Sequence, residues 1–323
     1  MFCLIAAKNP VNIYGKEFNA MNWIKLGLIF NPEILVKRGL TAALMPIPQI
    51  LDQKKNLVKV YFAPRDSLNR SELHYFIIDL NNPFDIKEIS EKPIFQHGVT
   101  GAFDDSGITP GNMLFQENKI LFYYTGWNLT KNVPFNNSIG IAEWNINKKV
   151  FERYGDGPVM TRTLHEPYSC ASPFVMYDDG IYKMWYASMD KWDAAGSEVK
   201  HYYNIKYAES VDGVQWKRDV CVVIDYEKDD EYAFGRPFVI KEYETYKMWY
   251  AFRGESYRIG YAESSDGKVW KRMDSEAGID VSFEGWDSEM IEYPAIFDLN
   301  DNRYMLYNGN GYGKTGIGLA VLK

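Results

Sequence analysis

Carboxylates crowd four short stretches of this chain, each just ahead of a proline. Asp104 and Asp105 precede Pro110, Glu166 with its neighbour His165 precedes Pro173, Asp229, Asp230 and Glu231 precede Pro237, and Asp287, Glu289 and Glu292 precede Pro294. Like charges gathered at a partly dry site raise one another's pKa. One carboxyl then keeps its proton as a general acid while another stays ionised as base or nucleophile. Asp105 and Glu166 are the first candidates for that work, with Asp104, Glu292 and Glu289 as candidate partners. A second set suits sugar rings and hydroxyls: Arg65, Asp66, Trp127, His165, Trp192, Arg253, Asn308 and Asn310, together with Arg236 directly before Pro237.

What must position these residues is a repeat. Residues 182–188 read Tyr-Lys-Met-Trp-Tyr-Ala-Ser and residues 246–252 read Tyr-Lys-Met-Trp-Tyr-Ala-Phe. Each is followed by Tyr-Ala-Glu-Ser, an Asp-Gly pair and Trp-Lys-Arg (residues 207–218 and 261–272). Val60, Phe122, Met184, Met248 and Met305 occupy one slot at spacings of 62, 62, 64 and 57, and Pro46, Pro110, Pro173, Pro237 and Pro294 occupy another at 64, 63, 64 and 57. Two independent markers thus count five units. Within a unit, a proline at a strand start (A), an Asp-Asp-Gly turn, an aromatic strand (B), a variable loop, a third strand (C), an Asp-Gly hairpin and a Trp-Lys-Arg strand (D) describe a four-stranded antiparallel blade.

The fold class is therefore all-β, a five-bladed β-propeller expected to occupy residues 1–323 as one domain. Its blades fall near 40–100, 101–160, 161–225, 226–280 and 281–323. The fifth unit ends after Gly316-Ile317-Gly318-Leu319-Ala320 without a strand D, and Trp23-Ile24-Lys25 resembles Trp216-Lys217-Arg218. The segment near 20–30 is expected to complete the last blade and close the ring. Strand A starts and B–C loops then rim one end of the channel, so acids, arginines and aromatics converge there.

Composition narrows the partners. Hydrophobic residues at 46% exclude a disordered chain, and no apolar run approaches the roughly 20 residues that span a bilayer. A net charge of −7 with signs interspersed argues against nucleic acid or a membrane surface as partner. Cys3, Cys170 and Cys221 are scattered, and Met1 to Ala7 carries no basic leader signal, so a cytoplasmic location is expected. The four histidines show no metal-ligand spacing; no metal site or cofactor is expected, and an ion in the central channel is left open.

These motifs resemble the five-bladed β-propeller glycosidases of the arabinanase/β-xylosidase and invertase/levanase type, over residues from about 23 to 323. The resemblance implies cleavage or rearrangement of a glycosidic bond in a small carbohydrate, glycan or sugar nucleotide. It places the second aspartate of that family's trio at Asp104 or Asp105 and the general-acid glutamate at Glu166. The first aspartate has no counterpart, because residues 39–45 before Pro46 contain no acid; Asp66 or an acid of the fourth or fifth unit would have to replace it. A non-catalytic glycan- or protein-binding propeller is the alternative this gap favours. A second resemblance, to sialidases, rests on Ser-Val-Asp-Gly and Ser-Ser-Asp-Gly turns and on Arg65, Arg236 and Arg253 as a carboxylate-binding cluster.

Overall fold

A computed structural model describes residues 21–194 and 199–323, so the leader reading of residues 1–7 lies outside the described residues. Among the described residues, twenty strands form five four-stranded antiparallel sheets. After β1 (Trp23–Phe30), blade 1 runs β2 (Thr41–Asp52), β3 (Leu57–Arg65), β4 (His74–Asp79) and β5 (Asn82–Ile89). Blade 2 is β6 (Gly107–Gln116), β7 (Lys119–Leu129), β8 (Phe135–Asn145) and β9 (Val150–Arg153). Blade 3 is β10 (Cys170–Asp178), β11 (Ile181–Asp193), β12 (Lys200–Ser210) and β13 (Lys217–Ile224). Blade 4 is β14 (Tyr232–Glu242), β15 (Thr245–Arg253), β16 (Tyr257–Ser264) and β17 (Lys271–Arg272). Blade 5 contributes β18 (Glu292–Leu299), β19 (Asn302–Asn308) and β20 (Ile317–Leu322), and β1 pairs with β20 as its outer strand.

The ring closes because a lone blade cannot bury both its faces. Five apolar clusters fill the five junctions between neighbouring blades. Phe30, Phe62 and Phe297 lie between blades 5 and 1, Tyr61 and Phe122 between 1 and 2, and Tyr123 and Met184 between 2 and 3. Trp185 and Met248 lie between 3 and 4, and Trp249 and Met305 between 4 and 5. The repeated Met-Trp-Tyr strands are therefore core. The Asp-Gly turns also stitch blades together: the Tyr123 hydroxyl donates to the Gly213 carbonyl at 2.9 Å, and Trp185 Nε1 to the Gly267 carbonyl at 2.8 Å. Gly213 has φ 76°, and a Cβ there would sit 2.7 Å from the Tyr123 oxygen, so that turn requires glycine.

One expectation is corrected. The prolines do not begin the A strands; Pro173 lies three residues inside β10 and Pro237 five inside β14. In each the pairing register slips across the proline, between Ala171 and Phe174 and between Gly235 and Phe238. A bulge leaves the missing N–H without a ladder partner to lose, which is why proline is tolerated mid-strand.

Candidate functional site

The bulge has a consequence for the residue just before each proline. Met45, Ser172, Arg236 and Tyr293 have φ of 54°, 50°, 52° and 57°, the left-handed region that non-glycine residues avoid. The same strain in four of five blades turns these side chains inward. With Thr109, which fills the position in blade 2, all five line one cavity of about 390 Å³ at the channel end where the B–C loops gather. Its upper wall is Arg65, Trp127, Phe135, His201, Tyr203 and Tyr257, from blades 1 to 4. Small-molecule sites typically combine such aromatic surfaces with a few placed polar groups.

Arg236 forms the floor. It is 1% exposed, and its Nη2 and Nη1 donate to the carbonyls of Pro46 at 2.8 Å and Pro110 at 3.2 Å, two other blades. Burial lowers its pKa to about 9. Arg65 donates to the Asn69 carbonyl at 3.0 Å and lies 5.7 Å from the Trp127 ring centre. Burial also lowers the pKa of His201 to about 4, aided by the charge of Arg253, so its imidazole is neutral at physiological pH. Trp192 packs edge-on against Phe135 and His201 and backs that wall.

Behind the wall lies Glu292. It is wholly buried, and no cation pairs with its carboxylate within 4.0 Å among the described residues. Desolvation pushes its pKa well above the ordinary carboxyl range, opposed by the adjacent Tyr293 hydroxyl and by Arg253. Its proton is therefore held more tightly than that of an ordinary carboxyl, and its neighbours Tyr293 and Tyr257 are cavity wall. Arg253 donates to the Tyr312 hydroxyl at 2.6 Å and stacks over Tyr232 and Tyr257 rather than entering the cavity wall itself.

The other acids are arranged differently, and here the expectation of convergence is corrected. Asp104, Glu166, Glu231 and Asp287 are each buried and each meet a cation from the outermost strand of their own blade. The pairs are Asp104–Arg153 at 2.6 Å, Glu166–Arg218 at 3.1 Å, Glu231–Arg272 at 2.9 Å and Asp287–Lys25 at 2.7 Å. A tyrosine from strand B joins each group. Tyr124, Tyr186 and Tyr307 donate to Asp104, Glu166 and Asp287 at 3.1, 2.9 and 3.0 Å, while in blade 4 Tyr250 accepts from Arg272 at 3.1 Å. Every one of these cations sits opposite an alanine of strand C, namely Ala142, Ala208, Ala262 or Ala320. The acids thus pin the entry of strand A to the rim of its blade, and none of them lines the cavity. Blade 1 has no acid ahead of Pro46 because it has no pin: the tyrosine, alanine and cation positions are Phe62, Phe76 and Ile89, and Phe30 packs on Phe62 and Phe76 at ring distances of 4.8 and 4.5 Å.

The remaining residues singled out from sequence organise loops. Asp105 accepts from Gly101 N, Ser106 and Asn128, contacts that outweigh burial and hold it below its usual pKa. Asp66 accepts from Leu68 N, Arg70 N and the Arg70 guanidinium. Asn308 ties blade 5 to blade 1 through Ala43 O at 2.6 Å and Met45 N at 2.9 Å, and Asn310 accepts from the backbone of Glu289 and Met290. His165 and the Glu289 side chain are exposed on loops. Among the described residues no three His, Cys, Asp or Glu side chains are grouped to hold a metal, and no helix is long and apolar enough to cross a membrane. Tyr293, Tyr257, Tyr203, His201, Thr109, Ser172 and Met45 went unnoticed in the sequence. The position before the proline, already used for Arg236, would have found four of them.

The fold is a five-bladed β-propeller of the architecture found in several solved glycoside hydrolases. A solved structure of a thermostable family-43 glycoside hydrolase superposes with a TM-score of 0.63 at 17% identity, covering 88% of this chain and 89% of that one. A structure from the GH130 family of mannoside phosphorylases, which contains glycoside hydrolases targeting β-1,2-mannosidic linkages in Candida mannan, gives 0.67 at 16%, covering 98% and 96%. A glycosyl hydrolase from Bacteroides ovatus gives 0.65 at 14%, covering 94% and 91%. At these identities the likeness is one of fold. No family model matches the sequence. The chain is 41% identical over 303 residues to the uncharacterised protein Rv1502 of Mycobacterium tuberculosis, covering 94% of this chain and all of the relative, and it belongs to that protein's family.

Proposed function

We propose that the funnel is the active site of a glycoside hydrolase-like enzyme acting on a small glycan, with Glu292 as its proton donor. The observation that carries this reading is the fully buried carboxyl of Glu292, its pKa pushed up by desolvation and no cation paired with it among the described residues, beside Tyr293 and Tyr257 of the cavity wall. A general acid needs a proton retained at neutral pH and a path to the leaving oxygen. The Tyr293 hydroxyl supplies the path: it passes a proton to the glycosidic oxygen and takes one from Glu292. The C1–O bond breaks with its electron pair leaving on the protonated aglycone. Water then adds to C1, and its proton returns along the same path to the Glu292 carboxylate. Trp127, Phe135 and Tyr203 offer ring faces to stack the sugar.

The test is turnover of a panel of aryl glycosides and sugar nucleotides by wild type, Glu292→Gln, Tyr293→Phe and Glu166→Gln. Glu292→Gln should lower kcat by about 10²–10⁴-fold, the usual contribution of general acid catalysis. Glu166→Gln, which disturbs a pin, should lower thermal stability and leave the rate per folded molecule near wild type. An undiminished Glu292→Gln would remove the proposed acid. A second reading, a glycan-binding propeller without catalysis, is favoured by a cavity lining that, among the described residues, includes no Asp or Glu. It predicts saturable sugar binding with no turnover by any variant.

A further inference from the structure

Removing an arginine from water without a counter-ion is costly, and natural interiors rarely tolerate it unless something else supplies the charge. Arg236 is such an arginine. Its contacts are two proline carbonyls, its Nε has no hydrogen-bond partner, and among the described residues no carboxylate lies within 4.0 Å of it. Arg65, on the upper wall of the same cavity, contacts Asn69 and likewise forms no ion pair with a described residue. No described Asp or Glu lines the cavity, and burial favours the uncharged form of the carboxyl behind its wall. In a chain of net charge −7, the cavity at the mouth of the channel thus carries two positive charges and no negative one among its described residues. Around them Thr109, Thr125 and Ser172 add hydroxyls; Thr125 Oγ1 accepts from Ser172 N at 2.8 Å, which leaves its own hydrogen to donate elsewhere.

We propose that the cavity takes a sugar bearing an anionic substituent, a carboxylate or a phosphate, and that Arg236 and Arg65 hold that substituent. A guanidinium fork presents paired donors that match the oxygens of either group. A fixed charge in a low-dielectric cavity also binds its counter-ion more strongly than one in water. The inference rests on the funnel being a carbohydrate site but not on Glu292 acting as an acid. The anion then supplies a counter-ion that the described lining residues do not, and a neutral sugar leaves both arginines without one.

Calorimetric titration of the full chain with glucuronate, glucose 6-phosphate, glucose and inorganic phosphate tests this. Glucuronate or glucose 6-phosphate should bind saturably and at least tenfold more tightly than glucose, with affinity falling as salt rises, and the tighter of the two names the anion. Arg65→Gln, at the half-buried rim, should weaken that binding at least fivefold. Arg236→Lys, which keeps the charge but loses the fork, should weaken it similarly, and near-ultraviolet dichroism reports whether each variant is folded. Glu292→Gln should leave anion affinity within about threefold of wild type even where it removes turnover, so the two proposals fail separately. The inference is overturned if glucose binds as tightly as its acidic counterparts or if inorganic phosphate binds and neither acidic sugar does. It is overturned as well if folded Arg65→Gln and Arg236→Lys bind the acidic sugar as wild type does.

Discussion

Glu292 and Asp104 show how two buried carboxyls meet opposite surroundings in one protein. Asp104 has no exposed surface yet is paired with Arg153; Glu292 has none and forms no ion pair with a described residue, so burial pushes its pKa up. That difference has a sign that can be measured. The folded pKa of Glu292 lies above the value of about 4.5 expected when unfolded, so between those two values the folded chain binds the extra proton and stability falls as pH rises. Glu292→Gln cannot ionise and should flatten this decline. Chemical denaturation of wild type and variant between pH 5 and 8 should show their difference growing with pH, by up to about 1.4 kcal/mol per unit while only the unfolded carboxyl is ionised. Neither state was readable from the sequence, where both residues appear as acids a few positions ahead of a proline.

The pins belong to the scale of the element. Each ties three strands of one blade through an acid, a tyrosine and a cation, and removing a single partner leaves a buried charge without compensation. Arg153→Ile should therefore cost about 3–5 kcal/mol, because Asp104 has no water to fall back on. Blade 1 shows the alternative solution in the same molecule, with Phe62 and Ile89 in place of tyrosine and cation. The triple variant Asp104→Ala, Tyr124→Phe, Arg153→Ile should accordingly be more stable than Arg153→Ile alone, as equilibrium urea unfolding would record. If the triple variant is the less stable, the pins do more than neutralise one another. Repeat spacing placed acids ahead of these four prolines, but its first choice in blade 2 was Asp105 rather than the pinned Asp104, and Asp287 of blade 5 was not among its candidates. It could not show that they turn outward, since their partners Arg153, Arg218 and Arg272 lie 41 to 52 residues away on strand D.

At the scale of the whole molecule, closure couples every junction. β1 brings Lys25 to Asp287, sets Trp23 edge-on against Trp249, and delivers Phe30 between blades 5 and 1. Phe30→Ala should cost about 3–5 kcal/mol as a large buried aromatic lost from the core. Because a ring has no end from which to fray, the loss should move one cooperative transition to lower temperature. Scanning calorimetry that instead resolved an early, separate transition would mean that blade 5 unfolds independently of the ring. A belt of ion pairs at the far ends of the strands reinforces the coupling: Lys241 of blade 4 reaches Asp178 of blade 3 at 2.8 Å, and Arg303 of blade 5 reaches Glu242 of blade 4.

The sequence by itself determined the number of blades, the strand order within each, and the split of the last blade between the chain ends. Those follow from short-range patterning, turn chemistry and repetition, which act along the chain and are written in it. It also located Arg236 at the channel, because a position before a recurring proline repeats with the fold. Which charges face that channel was decided only in three dimensions. A side chain's state depends on what it meets across the ring, and the difference between a paired acid at Asp104, one with its pKa pushed up at Glu292 and an arginine without a counter-ion among the described residues at Arg236 lies in neighbours drawn from other strands and other blades.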